Sequence, residues 1–282
     1  MDLQAHRTFF AELITSSAGG AANHPRLAAA FASTLRENFV GPGPWKVFAG
    51  GGYVETPSAD PAFLYQDVVV AISTERKINN GQPILHAICL AALNVKEGET
   101  VVHVGSGTGY YTAILAKLTG PSGSVLAFEI ERDLAERANR NLAALSNVTV
   151  RCASGSQQGA LPECDVVYVS AAASSPLDTW LDALRVGGRL LFPLAPPEGP
   201  GEMPGVGAML LIKRASVDRY EARFICGAAF IPCVGAHDDQ TAAKLSAAFK
   251  RGESRNVKSL RRNSPPDDSC WCAGNGWWLS TA

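Results

Sequence analysis

The sequence predicts a doubly wound α/β domain, a mostly parallel seven-stranded sheet with helices on both faces, preceded by N-terminal helices and followed by a C-terminal extension. Three observations predict it. Apolar runs of strand length recur at 100 to 104, 124 to 129, 148 to 152, 165 to 170, 188 to 194, 206 to 213 and 221 to 231, and helical patterns at 110 to 118, 133 to 145 and about 176 to 185 fall between them. The first of these strands runs straight into Gly105-Ser-Gly-Thr-Gly109, so a tight glycine turn sits at the carboxyl end of a strand, where sheets of this kind bind their ligands. An apolar fraction of 46% over 282 residues is ample for the core that such a domain needs.

Ahead of this region the pattern is different. Thr8 to Ile14 and His24 to Leu35 carry apolar residues at helical spacing, with Pro25 suited to a first helical turn. Gly41 to Pro61 is dense in glycine and proline and is expected to be a long loop, either a binding segment or a plain connector. Leu64 to Ile72 has the composition of a strand, and Asn79-Asn-Gly-Gln-Pro83 is a turn whose proline opens a helix through Leu93. His86 on that helix is a core histidine or a substrate contact. These boundaries give three regions: residues 1–63, a ligand-binding domain over 64–235, and an extension over 236–282. In the extension, Asp238 to Phe249 is expected to be helical. The basic tract from Lys244 to Arg262 is expected to be a solvated face or connector, the alternative being a site for an acidic partner. The tryptophans of the last residues suggest a terminal element docked on the body.

Composition excludes several function classes. A formal net charge of -1 gives no global electrostatic case for a nucleic-acid partner, and no apolar run is long enough to span a bilayer. The opening residues do not resemble a signal peptide. Seven cysteines, with Cys89, Cys152 and Cys226 in apolar segments, suggest a reducing compartment, so a cytoplasmic location is expected. Cys270 and Cys272 alone are too few for a zinc site, and no metal is expected. No phosphate-binding lysine loop of the G-x-x-x-x-G-K-[ST] kind is present.

The glycine turn carries the chemistry. Its spacing G-x-G-x-G differs from the dinucleotide fingerprint, whose last glycine comes one residue later, which argues against a nicotinamide cofactor. Glu129 closes the second strand at the position where a carboxylate accepts hydrogen bonds from a ribose diol. Loop and acid together point to an adenosyl ligand, though glycine turns of this kind also serve other nucleotides.

Four segments, Val102-His-Val-Gly-Ser-Gly-Thr-Gly-Tyr-Tyr111, Ala127-Phe-Glu-Ile-Glu131, Asp165 to Ala173 and Arg185 to Pro193, resemble the class I, Rossmann-like methyltransferases that use S-adenosylmethionine. More narrowly the chain resembles the protein-L-isoaspartate O-methyltransferase family. That resemblance rests on Ala171 to Ala173, on Gly187-Gly-Arg-Leu-x-x-Pro193, on Ala229-Phe-Ile-Pro232 and on Tyr65-x-Asp67 ahead of Gln82-Pro83, and it covers roughly residues 35 to 235. It implies transfer of a methyl group to a side-chain carboxylate of a peptide or protein, with S-adenosylhomocysteine as product. It also implies cofactor binding by His103, Gly105, Ser106, Gly107, Thr108, Gly109, Tyr110, Glu129, Ile130, Gly155, Ser156, Gln157 and Ser170. Substrate binding is implied for Asn80, Gly81, Gln82, Pro83, Ala171, Ala172 and Ala173. No catalytic acid or base is assigned, because a carboxylate with a pKa near 4 is already ionised at neutral pH and catalysis can rest on positioning.

Three positions depart from the family pattern. His103 stands where the family has an acid, Gly155 where it has the aspartate that meets the adenine amino group, and Gly81 where it has a serine that touches the substrate. The Gly155 departure means that one adenine contact is lost or is relocated to Ser156 or Gln157. The departures keep two other readings open: a methyltransferase for a different dedicated peptide or small acid, and a non-catalytic S-adenosylmethionine-binding module.

Overall fold

The computed structural model describes residues 2–196 and 207–282. The chain begins with α1 (Leu3–Ser16), α2 (Pro25–Ser33) and α3 (Glu37–Val40), then forms the pairs β1 (Lys46–Phe48) with β2 (Tyr53–Glu55) and β3 (Ala71–Ser73) with β4 (Ile78–Asn79), and then α4 (Pro83–Leu93). Next come β5 (Thr100–Val104), α5 (Tyr110–Thr119), β6 (Ser124–Glu129), α6 (Arg132–Leu142) and β7 (Val148–Cys152). The remainder holds β8 (Cys164–Val169), α7 (Asp178–Asp182), β9 (Leu184–Leu194), β10 (Gly207–Arg214), β11 (Tyr220–Ala228), α8 (Asp239–Arg251), β12 (Ser259–Arg262), β13 (Cys270–Ala273) and β14 (Trp277–Ser280). Alternating strands and helices from 100 to 184 are those the periodicity predicts. The strand expected from 206 is seen from Gly207, residue 206 lying outside the described residues. No helix among the described residues is long and apolar enough to cross a membrane.

The chain divides into two compact units, one of residues up to 98 with 106–152, the other of 99–105 with 153–282. In the first unit β6 and β7 pair in parallel from Val125↔Val148 to Glu129↔Cys152. The N-terminal helices are core elements of this unit: Phe10 and Ile14 are fully buried, and Phe10 meets the Tyr65 ring edge-on with centroids 5.6 Å apart. Helix α4 is capped from a distance. The Asp67 carboxylate accepts from the Ile84 N–H at 2.8 Å and from Gln82 Nε2 at 2.7 Å, so one side chain fixes both the first turn of the helix and the residue before it.

The segment 64–72 is not the strand its composition suggests. A 3-10 turn, Pro61–Leu64, is followed by irregular chain and only then by the three residues of β3. Arg36 explains the difference: its guanidinium, fully buried, donates to the carbonyls of Leu64 at 2.5 Å, Gln66 at 3.0 Å and Val68, and to Asn80 Oδ1 at 3.4 Å. A side chain has taken the carbonyls that a neighbouring strand would otherwise bond. The glycine-rich stretch 41–61 likewise contains structure, the β1–β2 hairpin, seated on a small core of Val40, Trp45, Leu64 and Val70.

In the second unit the strand order is β13-β14-β12-β11-β10-β9-β8-β5. β5, β8 and β9 run parallel, and from β9 onward each neighbour is antiparallel. The extension is therefore part of this sheet. Trp271 packs edge-on against Phe224 and Phe249, each with centroids 5.2 Å away, and its Nε1 donates to the Gly252 carbonyl at 2.8 Å. The basic tract is neither connector nor free surface throughout, because Arg262 lies in β12 and bonds Asp178 and Asp182 of α7 at 2.7 Å each.

Candidate methyl-donor and acceptor sites

The chain leaves β5 through Gly105, Gly107 and Gly109, whose φ values are +77°, +55° and +97°, and enters α5 at Tyr110. A Cβ on Gly107 would meet nothing within 4 Å, so this glycine is required by its left-handed backbone and leaves open space over the turn. Ser106 N–H donates to the Phe128 carbonyl at 3.1 Å and Gly109 N–H to the Ser106 carbonyl at 2.9 Å. Glu129, 6% exposed, accepts from Gly107 N–H at 2.7 Å and from Glu131 N–H at 3.0 Å, one bond to each carboxylate oxygen. Burial pushes its carboxyl pKa up, and these backbone donors pull it back. Asn141 Nδ2 ties the turn to α6 through the Thr108 carbonyl at 2.9 Å.

Two observations in this first unit fit an adenosyl group. Ser106 Oγ is buried with no hydrogen-bond partner. Ile130, next to Glu129, is an apolar side chain left 47% exposed, as a platform for an aromatic ring would be.

In the second unit, His103 Nε2 lies 3.1 Å from Ser170 Oγ and its ring stacks on Tyr168 with centroids 5.3 Å apart. It is 1% exposed, and burial lowers its pKa from 6.5 to about 3, so the imidazole is neutral at physiological pH. A neutral ring does not repel an ammonium group. Ser170 N–H donates to the Val104 carbonyl at 2.8 Å, which holds the tips of β5 and β8 together. Gly155 offers its carbonyl to Trp180 Nε1 at 2.9 Å. Ser156 Oγ donates to the Val234 carbonyl at 2.7 Å, whereas Gln157 is engaged through its backbone carbonyl with Thr179 Oγ1 at 3.0 Å. Among the described residues, the Ser156 side chain has a hydrogen-bond partner and the Gln157 side chain has none.

The neutrality of His103 carries a stability prediction. Its folded-state pKa lies below the unfolded value, so between pH 6.5 and about 3 the unfolded chain takes up the proton and the folded chain does not. The contribution is fully present above pH 6.5 and is lost as pH falls. Urea unfolding at pH 7 and pH 5 is expected to differ by about 2 kcal/mol more in the wild type than in His103→Asn. Equal differences would mean that the ring is protonated in the fold.

The acceptor loop lies in the first unit. Asn80 Oδ1 accepts from Val70 N–H at 2.9 Å as well as from Arg36, and Gly81 N–H donates to Asn79 Oδ1 at 2.9 Å. Gly81 has φ +74°, and a Cβ there would stand 2.3 Å from His86 Nε2. His86 is 2% exposed and stacks on Tyr111 with centroids 3.5 Å apart at 9°. Its ring thus fills the space that a side chain at residue 81 would need, and Gly81→Ser would not simply restore the family residue. That substitution is expected to cost about 2 kcal/mol in thermal or urea unfolding. His86→Ala in the same chain should recover part of the loss, and an additive double variant would refute the clash.

The alanines of the second unit work through their backbone. Ala172 N–H donates to the Ile231 carbonyl at 2.8 Å and the Ala172 carbonyl accepts from Cys233 N–H at 2.7 Å, while Ala173 exchanges bonds with the carbonyl of Pro193 and the N–H of Ala195, both at 3.0 Å. Short side chains let three segments meet here. His237 was not legible as a site residue, yet its half-buried ring lies beside this junction, against the Ala172 backbone, where Ser174 Oγ accepts from Asp238 N–H at 2.9 Å.

The model of the protein-L-isoaspartate(D-aspartate) O-methyltransferase family matches residues 12–237. The chain belongs to this family. Members named protein-L-isoaspartate O-methyltransferase from Methanothermobacter thermautotrophicus and Methylorubrum populi are each 33% identical to it, over 61% and 62% of this chain and 77% and 78% of theirs. A solved protein-L-isoaspartate O-methyltransferase superposes with a TM-score of 0.65 at 22% identity, covering 87% of this chain and 68% of its own. A Plasmodium falciparum β-aspartate methyltransferase in complex with S-adenosyl-L-homocysteine gives 0.57 at 18%, covering 78% and 97%. These likenesses establish the class I methyltransferase fold. The family match starts well before residue 35, where the motif resemblance begins, because α1 and α2 belong to the first unit's core through apolar spacing and carry no motif.

Proposed function

We infer that the chain is an S-adenosylmethionine-dependent O-methyltransferase that esterifies the free, pendant carboxylate of isoaspartyl residues in peptides or proteins. The observation that carries this is the family match over 12–237, which spans the glycine turn with Glu129, the 79–83 loop and the triple alanine. S-adenosylmethionine supplies a sulfonium methyl that an oxygen nucleophile can take directly. On the donor side, Glu129 is assigned to the ribose hydroxyls, Ile130 to a face of the adenine, the turn from Gly105 to Tyr110 to close backbone approach, and Gly155 to Gln157 to the adenine edge. His103 and Ser170 are assigned to the amino-acid end, with the neutral imidazole acting as a hydrogen-bond partner in place of an acid. On the acceptor side, Asn80 to Pro83 and Ala171 to Ala173 hold the substrate backbone.

No general base is needed. The acceptor carboxylate is ionised at neutral pH, and the contribution of these residues is to hold it in line and keep water away. The test uses purified protein, methyl-labelled S-adenosylmethionine and a peptide pair differing only in one isoaspartyl or aspartyl residue. Base-labile label is expected in the isoaspartyl peptide alone; transfer to neither peptide would overturn the assignment.

A further inference from the structure

The first unit holds a cleft of about 600 Å³ that none of the assigned donor or acceptor residues line. One wall is α6, which presents Arg137 and Arg140. The opposite wall comes from the β1–β2 hairpin and from β3 with the residues after it, presenting Lys46, Glu55 and Glu75, and the buried Trp45 contributes an apolar surface. Five arginines elsewhere, Arg7, Arg76, Arg185, Arg189 and Arg262, pair with carboxylates within 3.3 Å. Among the described residues, no ion pair involves Lys46, Arg137 or Arg140. Two guanidiniums at i and i+3 lie on one helix face, so a single carboxylate can be reached by both.

We propose that this cleft is a subsite for an acidic segment of the peptide substrate, with an aspartyl or glutamyl carboxylate bound by Arg137 and Arg140. The proposal rests on the reading of the chain as a peptide methyltransferase and names a preference within it. Size favours a peptide over an inorganic anion, since the volume falls in the range that holds drug-sized organic ligands. Charge favours an acidic side chain on the helix wall. Lys46 and Glu55 are direct cross-strand partners of opposite charge, and the remaining charged lining is the arginine pair and the single carboxylate of Glu75. An extended peptide satisfies both walls, giving a carboxylate to α6 and backbone N–H donors to Glu75. Position favours the same substrate: Ala71 of the cleft pairs in register with Asn79, one residue before the acceptor loop, so the wall and the loop belong to one β-ladder.

The experiment compares two isoaspartyl peptides whose flanking residues are either Glu or Gln, in the wild type and in Arg137→Gln/Arg140→Gln. The wild type is expected to show a KM about tenfold lower for the Glu peptide, with the advantage fading as salt rises. The double variant should lose that preference while its kcat and its KM for the Gln peptide stay unchanged. A wild type without preference, or a variant that keeps it, would overturn the subsite. A fluorescent Glu-flanked peptide carrying no isoaspartyl residue separates this idea from the activity itself. Its anisotropy should report binding that Arg137→Gln/Arg140→Gln weakens, whether or not methyl transfer is found, and unchanged binding would again count against the cleft.

Discussion

Arg36→Ala is expected to destabilise the chain by about 4 kcal/mol, lowering the urea midpoint and shifting Tm by roughly ten degrees or more. The guanidinium is fully buried and, among the described residues, has no carboxylate partner. Its charge is held by the carbonyls of Leu64, Gln66 and Val68 and the side-chain oxygen of Asn80, and its face lies over the Phe10 ring with 5.7 Å between the guanidinium carbon and the centroid. Truncation takes the donor from the Leu64 and Val68 carbonyls, while Gln66 and Asn80 keep the N–H groups of Val68 and Val70, and it opens a cavity in a site walled by α1 and the 64–68 segment. Arg36→Lys should recover little, because one ammonium cannot span carbonyls that a planar fork reaches on two sides. Since Asn80 is one of the partners, the acceptor loop should loosen before the whole unit unfolds. Hydrogen exchange at Val70 and Gly81 is therefore expected to rise in Arg36→Lys. Wild-type stability in Arg36→Ala would show that water replaces the side chain without cost.

Arg36 also marks the boundary of what the sequence discloses. The glycine turn at the end of β5 was legible because a left-handed backbone calls for glycine at fixed spacing, and the family motif supplied Tyr65-x-Asp67 before its physical role, the distant capping of α4, was visible. A lone arginine carries no such signal. Its partners are backbone carbonyls, identical in every residue, so nothing in Leu64 to Ile72 distinguishes chain bonded by a side chain from chain bonded by a strand. The tail was legible as docked from its tryptophans but not as strands. β14 lies between β12 and β13 with all four residues buried, so it lacks the period-two alternation of a half-exposed strand. Gly81 shows a third kind of limit. The sequence marks a missing serine, whereas the ring of His86, five residues on, is what occupies its space.

The largest effect expected on ligand binding is at Glu129. Its two oxygens serve different donors, Gly107 N–H on the turn and Glu131 N–H at the start of α6, so the side chain fixes the glycine turn. Glu129→Ala removes both acceptors and, under the proposed assignment, the ribose contact with them. Affinity for S-adenosylhomocysteine, measured by titration calorimetry, is expected to fall about 100-fold, close to 3 kcal/mol. Glu129→Gln provides the control. It keeps the shape and one carbonyl oxygen, but its NH₂ group must oppose one of two N–H donors, so it should hold either the turn or α6 and not both. An intermediate loss, about tenfold, is expected. The order wild type, Gln, Ala separates an acceptor role from mere volume, because Gln and Glu are nearly isosteric. If Gln bound as weakly as Ala, the negative charge itself would be the determinant. If Ala bound within a factor of about three of wild type, the carboxylate would serve the turn alone and the ribose would lie elsewhere.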